Sequence, residues 1–397
     1  MTATVEVEPA VRAAQPWAYP LILGATGVAL GVSGAPAPLY GIYQREWHFS
    51  TLTTTVVFAV YAVAALGAVL VSGRISDVVG RKPVLVGAFV TMLVGLGVFL
   101  LADNVAMLLL ARALHGIAVG STVVAGAAAL LDLRPRDGGR TGRLSVVAFN
   151  LGMAVAILGS AAMAQYLPHP LRTPYLGITV LCLVIAAGIA MMREPHTARA
   201  AGRVTIAKPA VPPEIRADFW FAALGVMAAW SVLGVLLSLY PSLASARTGI
   251  HNLVFGGAVV ASTSVTTALA QLLAARVPAR RSAIAGDIGL AVTLLLTVPA
   301  LNSHSPAIVL GTGVLLGIPF GFAFGGSLRH LSEVVPPHRR GETMSAYYLL
   351  AYSAMAAPTV LAGWAATRWG IGVVFPWFVL GVSLSCLAAA ALGLRRR

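Results

Sequence analysis

Charge is what this sequence has least of. Asp, Glu, Lys and Arg make up 10% of the 397 residues and 58% are hydrophobic, whereas a soluble globular chain carries about a quarter charged residues. Thirteen acids and 27 bases cannot solvate a chain of mean hydropathy +0.86. Cytosolic enzymes, nucleic-acid-binding proteins and secreted domains are excluded together. Cysteine is scarce as well: Cys182 and Cys386 both lie in apolar runs, so neither a disulfide framework nor a metal cluster is implied. Both are expected as lipid- or core-facing packing residues. A cleavable signal peptide is not visible, because Glu6 and Glu8 precede Arg12 and the first apolar run is too long. Ten-residue segments of alternating polarity, the mark of a membrane β-barrel, are missing. So is a G-x-x-x-x-G-K-[ST] loop, which removes ATP as a direct driver.

What the chain has instead is long apolar runs. A helix crossing the hydrocarbon layer needs about 20 apolar residues. Windows of that size fall at 17–41, 51–72, 83–102, 105–131, 143–167, 174–192, 218–241, 252–274, 282–301, 306–328, 342–365 and 371–394. The 41 glycines are spread through these runs, which suits close helix packing in lipid. The expected fold class is an all-α polytopic membrane protein with twelve transmembrane helices.

Bases are retained on the cytoplasmic side of a membrane. With the amino terminus inside, 22 of the 27 bases lie in cytoplasmic segments. Arg45, Arg172, Arg247 and Arg368 lie outside, and Arg112 lies within a span. Both termini are therefore expected in the cytoplasm, with the chain in the cytoplasmic membrane. This split also accounts for the net charge of +14 without nucleic acid as a partner.

The longest hydrophilic stretch, 193–217, contains Pro209, Pro212 and Pro213 and divides the spans six and six. The expected organisation is a cytoplasmic tail (1–16), a six-helix bundle (17–192), a cytoplasmic linker (193–217), a second bundle (218–394) and a basic tail (395–397). The halves echo one another at an offset of about 200 residues. Tyr40 matches Tyr240, Arg81 matches Arg281, and Arg140 with Ser145 matches Arg340 with Ser345. Two repeated halves enclosing a midplane site form a transporter architecture.

The sharpest local signal is Gly73-Arg-Ile-Ser-Asp77-Val-Val-Gly80-Arg81-Lys82, between the second and third spans. Two helices must reverse there within about ten residues, and glycine permits the tight backbone approach. Asp77 is an acid in a basic loop, placed to sit near a helix N-terminus and pair with an arginine. The stretch resembles the signature loop of the major facilitator superfamily, G-x-x-x-D-x-x-G-R-K/R. It departs at Val78, where the family often has a base. The twelve spans and central linker extend the resemblance over the whole chain. The resemblance implies two pseudo-symmetric six-helix bundles. It also implies that Asp77 and Arg81, with Asp132 at the end of the fourth span, latch the cytoplasmic side in the outward-facing state.

Arg112 lies inside the fourth span, where an arginine costs about 2.5–3.5 kcal/mol on insertion scales and must face a partner, a cavity or the interface. The spacing Arg112-x-x-x-Gly116-x-x-x-Gly120 is similar to the superfamily's fourth-helix motif, which implies a cavity-facing arginine tied to proton coupling. His115 could titrate near neutral pH and is carried as a candidate beside it.

Acids are absent where proton-driven carriers often hold one: none of the thirteen falls in the middle third of a window. The fifth span, over 152–161, keeps small residues but has no proline, which sets it apart from many drug–proton antiporters. Coupling through Arg112, His115 or the Asp77 network, and a passive cycle, both stay open. Candidate cavity residues are the polar and aromatic ones within spans: Tyr40, Tyr43, Asn150, Trp230, Tyr240, Gln271, Tyr347, Tyr348 and Tyr352.

The expectation is a monomeric secondary transporter moving a small organic, neutral or amphiphilic compound, with export favoured and a proton as a candidate co-substrate. No cofactor or metal is expected. An uptake permease or uniporter for a sugar or metabolite is the alternative. A lipid-modifying enzyme, which would have to be built on His330, Glu333 and His338, is the alternative of another class.

Overall fold

The computed structural model describes residues 15–196 and 208–395. Arg12, Arg199, Arg203, Arg396 and Arg397, five of the bases that set the expected orientation, lie outside the described residues. Among the described residues there are helices and no strands. They are α1 (Ala18–Gly34), α2 (Tyr40–Trp47), α3 (Thr51–Val79), α4 (Arg81–Leu101), α5 (Val105–Leu133), α6 (Gly138–Tyr166), α7 (Thr173–Met191), α8 (Arg216–Ser238), α9 (Tyr240–Thr248), α10 (Leu253–Ala274), α11 (Ala279–Asn302), α12 (Pro306–Val334), α13 (Arg340–Trp369) and α14 (Ile371–Leu394).

Among the described residues twelve segments are long and apolar enough to cross a membrane. The first and seventh run past their expected ends, as a long helix followed by a short one. Pro36 and Pro38 put a single 3-10 turn, Ala37–Leu39, between α1 and α2, because proline has no N–H for the helical ladder. In the seventh span the break falls at Leu239, and Pro241 takes the second position of α9. Tyr40 and Tyr240, matched in sequence, each open the short helix after the break.

Elsewhere the ends are set by side-chain caps and by glycine. Ser50 accepts the Thr53 N–H at 3.2 Å, Asn104 that of Met107 at 3.0 Å, and Asn252 that of Val254 at 2.8 Å. Each satisfies an otherwise orphaned helix donor, worth about 1 kcal/mol.

Helices α1–α7 form one six-span bundle and α8–α14 the other. Within the first, α5 crosses α3 at very short range. A side chain on Gly116 would run into the Tyr61 carbonyl, and one on Gly120 would lie 2.5 Å from the Ala65 carbonyl. The Arg112-x-x-x-Gly116-x-x-x-Gly120 spacing is thus, in part, a helix-crossing stripe.

The bundles meet along two seams, α3 against α13 and α6 against α10. Among the described residues three hydrogen bonds join them. Leu52 N donates to Thr367 Oγ1 at 2.9 Å, Leu253 N to Gln165 Oε1 at 2.8 Å, and Asn252 Nδ2 to Tyr166 Oη at 3.1 Å. All three lie at the face opposite the chain ends, where Gly363 also packs on Thr55 and Gly257 on Ala161. The seams are therefore tied at that face.

Candidate functional site

At the chain-end face the turn between α3 and α4 is built around Gly80. Its φ of +109° is open to glycine and strained for other residues. A side chain there would also press on the Glu194 carboxylate. Glu194 lies just past α7 and caps α4: its two oxygens accept the backbone N–H groups of Arg81 and Lys82 at 2.9 and 3.0 Å. A carboxylate at a helix N-terminus gains from both the free N–H groups and the dipole.

With α4 anchored, the Arg81 side chain folds inward and is only 8% exposed. Its Nη1 meets Asp77 Oδ1 at 2.5 Å and Ser76 Oγ at 2.7 Å, while its Nε meets Asp132 Oδ2 at 3.0 Å. Asp132 Oδ2 also contacts His196 Nδ1 at 3.1 Å. Gly73, one turn above Asp77, lets α3 pass close to Val124 of α5. The structure thus brings together Gly73, Asp77, Gly80, Arg81, Lys82 and Asp132. These contacts run within the first bundle and the segment that follows it, and the Asp77 side chain stays 45% exposed.

Arg112 sits about 10 Å along α5 from its start at the opposite face, and it does not reach out to solvent: it is fully buried. Nη1 donates to the Ser33 carbonyl at 3.1 Å, and the guanidinium carbon lies 4.4 Å from the Tyr61 ring centroid and 5.6 Å from that of Phe58. A cation over aromatic faces away from water gains about 2 kcal/mol, which offsets part of its burial. Nε and Nη2 make no hydrogen bond of ordinary length, and the nearby Tyr40 hydroxyl interacts with the guanidinium itself. Arg112 and Tyr40 are therefore a buried polar pair beneath the closed seam.

Across the seam, Trp230 of α8 meets Tyr352 of α13 edge-on at 4.7 Å, with Phe324 of α12 at 5.9 Å. Tyr348 lies one turn from Tyr352 on the same helix. Tyr352 packs into the core shared with the first bundle, alongside Tyr61 and Tyr40. The site so formed is aromatic with a few hydroxyls, one guanidinium and, among the described residues, no carboxylate paired to it.

Other sequence candidates fall elsewhere. His115 packs between α5 and α4, against Gly95 and 5.0 Å from the Phe99 ring, inside the first bundle. Tyr43 hydrogen-bonds Tyr175 at 3.3 Å. Tyr240 is buried against Phe375 in the second bundle. Gln271 lies beside Gly325 where α10 meets α12. Asn150 Nδ2 returns to the Val146 carbonyl of its own helix at 2.9 Å. Cys182 and Cys386 are both buried. His330 is paired with Asp218 at 3.1 Å.

Four contributors escaped sequence reasoning: Tyr61, Glu194, His196 and Asp287. Asp287 corrects an expectation. A carboxylate does lie deep inside a span: Asp287 of α11 is fully buried, with neither oxygen partnered. The window that began at 282 placed it too near the end, whereas α11 begins at Ala279. Pro358 of α13 lines an apolar groove of the second bundle. That groove, of about 580 Å3, is floored by α8 and rimmed by the exposed Leu361 and Trp377, so it opens toward lipid rather than into the seam.

Comparison with known proteins agrees with this architecture. Residues 21–359 match the family model of the Major Facilitator Superfamily. Over 227 residues the chain is 24% identical to an uncharacterized MFS-type transporter of Mycobacterium tuberculosis, found in strains CDC 1551 / Oshkosh and ATCC 25618 / H37Rv. That match takes in 55% of this chain and 32% of the relative, so the chain spans about a third of the curated relatives it matches. A crystal structure of the nucleoside transporter NupG, in a mutant form, superposes with a TM-score of 0.76. The superposition covers 94% of this chain and 99% of that one at 11% identity, a likeness of fold. The chain belongs to the major facilitator superfamily.

Proposed function

We propose that this protein is a secondary transporter that carries a small organic, neutral or amphiphilic compound across the cytoplasmic membrane by alternating access. The chain-end face is the cytoplasmic one, as the excess of bases there indicates. The observation that carries the proposal is the asymmetry of the seam. It is tied at the face opposite the chain ends, while among the described residues Asp77 and Arg81 at the other face engage only their own side. Rocking the bundles would untie the first set and bring the α3–α4 turn against the second bundle.

Substrate would bind between the bundles, where Trp230, Tyr348 and Tyr352 offer flat apolar surfaces. Arg112, with Tyr40 beside it, would turn guanidinium N–H groups to an oxygen of the substrate once the opposite face opens. A lining with one cation and no paired carboxylate suits a neutral or amphiphilic molecule better than a dicarboxylate or an organic cation. Export is the favoured direction. Uptake of a planar neutral metabolite is the second version, favoured by the edge-on Trp230–Tyr352 pair and by the fold shared with a protein titled a nucleoside transporter.

The test is a susceptibility panel in an efflux-deficient bacterium expressing the wild type or Asp77→Asn, challenged with toxic amphiphiles and nucleoside-like antimetabolites. Resistance with the wild type alone establishes export and gives the substrate class. Hypersensitivity establishes uptake. Identical behaviour of wild type and empty vector, repeated with labelled metabolites in vesicles, would overturn transport.

A further inference from the structure

Asp287 lies in a layer of the second bundle that the alternating-access cycle described above does not use. It is the ninth residue of α11, about 12 Å from the chain-end face at 1.5 Å per residue. At the same depth lie Gly225 of α8, Ser327 of α12 and Tyr347 of α13. Asp287, Ser327 and Tyr347 are each fully buried, and both carboxylate oxygens, Ser327 Oγ and the Tyr347 hydroxyl have no hydrogen-bond partner. Gly225 opens the space between them: a side-chain carbon there would sit 2.8 Å from Ser327 Oγ and 3.0 and 3.2 Å from the two Asp287 oxygens. Four unpartnered polar atoms around a gap kept by glycine form a built site.

A bare carboxylate in such a place costs several kcal/mol, and its neighbours supply no compensating charge. Tyr347 and Cys386 are the groups with which it interacts electrostatically from α13 and α14. Of the nearby bases, Arg329 turns away to the Ala274 and Val277 carbonyls at 2.7 and 3.2 Å, and Arg280 to the Gly393 carbonyl. On α12, one turn from Ser327 toward the chain-end face, His330 Nε2 meets Asp218 Oδ1 of α8 at 3.1 Å, with the Asp218 side chain 23% exposed. This imidazole–carboxylate pair lies nearer the chain-end face than Ser327 and makes no charge pair with Asp287.

We propose that Asp287 is a reversible proton-binding site on the chain-end side of the second bundle. A proton taken up from water binds a carboxylate oxygen of Asp287, which becomes an uncharged acid that can donate to Ser327 or Tyr347. A sodium ion fits less well, since one carboxylate and two hydroxyls make a thin oxygen shell for a hard cation. This inference rests on the transporter proposal only for its purpose. Loading and unloading Asp287 would couple the rocking of the bundles to a proton gradient.

The test is attenuated-total-reflection infrared spectroscopy of the purified full-length protein in lipid during pH titration, with no substrate present. The wild type is expected to show a carboxylic-acid carbonyl band that fades as pH rises, is lost in Asp287→Asn and persists when sodium is added at constant pH. Gly225→Ala, which crowds the same oxygens, is expected to shift that band. Superimposable wild-type and Asp287→Asn spectra from folded protein, with no shift in Gly225→Ala, would overturn the site. Bleaching of the band by sodium would overturn the proton as its ligand. The readout is independent of transport: proton binding without any transported substrate would retain the site and remove the transporter proposal.

Discussion

The Glu194 carboxylate holds the first two backbone N–H groups of α4, those of Arg81 and Lys82, at 2.9 and 3.0 Å. The segment that leaves the first bundle thereby fixes the turn on which Arg81 depends. Hydrogen bonds from neutral donors to a charged acceptor contribute about 1.5–3 kcal/mol each, less where water competes. Glu194→Ala is expected to lower the melting temperature and cut transport, while Glu194→Gln, which keeps one good acceptor, falls between it and wild type. Equal melting curves for all three would show that the cap has no structural weight.

Arg81 joins Asp77 and Asp132 in one contact set, yet Asp77 is half in water. Removing its charge should leave folding intact and affect the state in which the α3–α4 turn meets the second bundle. Asp77→Asn is expected to express at wild-type level and lose most transport. Full transport in this variant, measured in vesicles, would remove the latch.

Arg112 combines complete burial, two nitrogens without a hydrogen bond of ordinary length and two aromatic faces. Lysine keeps the charge but not the planar fork that lies over a ring while donating sideways. Arg112→Lys is expected to fold and to lose most of the transport rate. Arg112→Ala should also lose stability through the cavity it leaves. Wild-type transport by Arg112→Lys in vesicles would count against a substrate role for the guanidinium.

Gly116 lies against the Tyr61 carbonyl and Ala64. Overpacking a tight contact costs about 1–3 kcal/mol, so Gly116→Val should destabilise the first bundle and displace Tyr61 from Arg112. Thermal unfolding in detergent checks the first effect; wild-type stability would mean that the two helices separate without penalty.

Twelve spans were legible because each needs only length and apolarity, which composition windows report directly. The α3–α4 turn was legible because glycine, acid and base recur there at short range. What stayed hidden depended on neighbours distant in sequence. Tyr61 is an aromatic in an apolar run, and nothing local marks it as the lid over Arg112, fifty-one residues on. Glu194 and His196 read as the start of a linker, since their partners Arg81 and Asp132 lie in other helices. Asp287 read as a residue near a helix end, because depth in a bundle is set by α8, α12 and α13 around it. Tyr240, conversely, looked like a cavity residue through its match with Tyr40; it is buried in the second bundle with its ring against Phe375, and its polar neighbour is Thr312 where the first bundle has Arg112.

The central claim is that one seam opens as the other closes. Paired spin labels test it most directly in lipid, in a background with Cys182 and Cys386 replaced by alanine. One pair, Leu167→Cys with His251→Cys, reports the opposite face. The other, Arg136→Cys with Arg276→Cys, reports the chain-end face. The account predicts two populations whose distances move in opposite senses, with Asp77→Asn enriching the form that is short at the first pair and long at the second. A single unchanging distance at both faces, or both distances lengthening together, would contradict it.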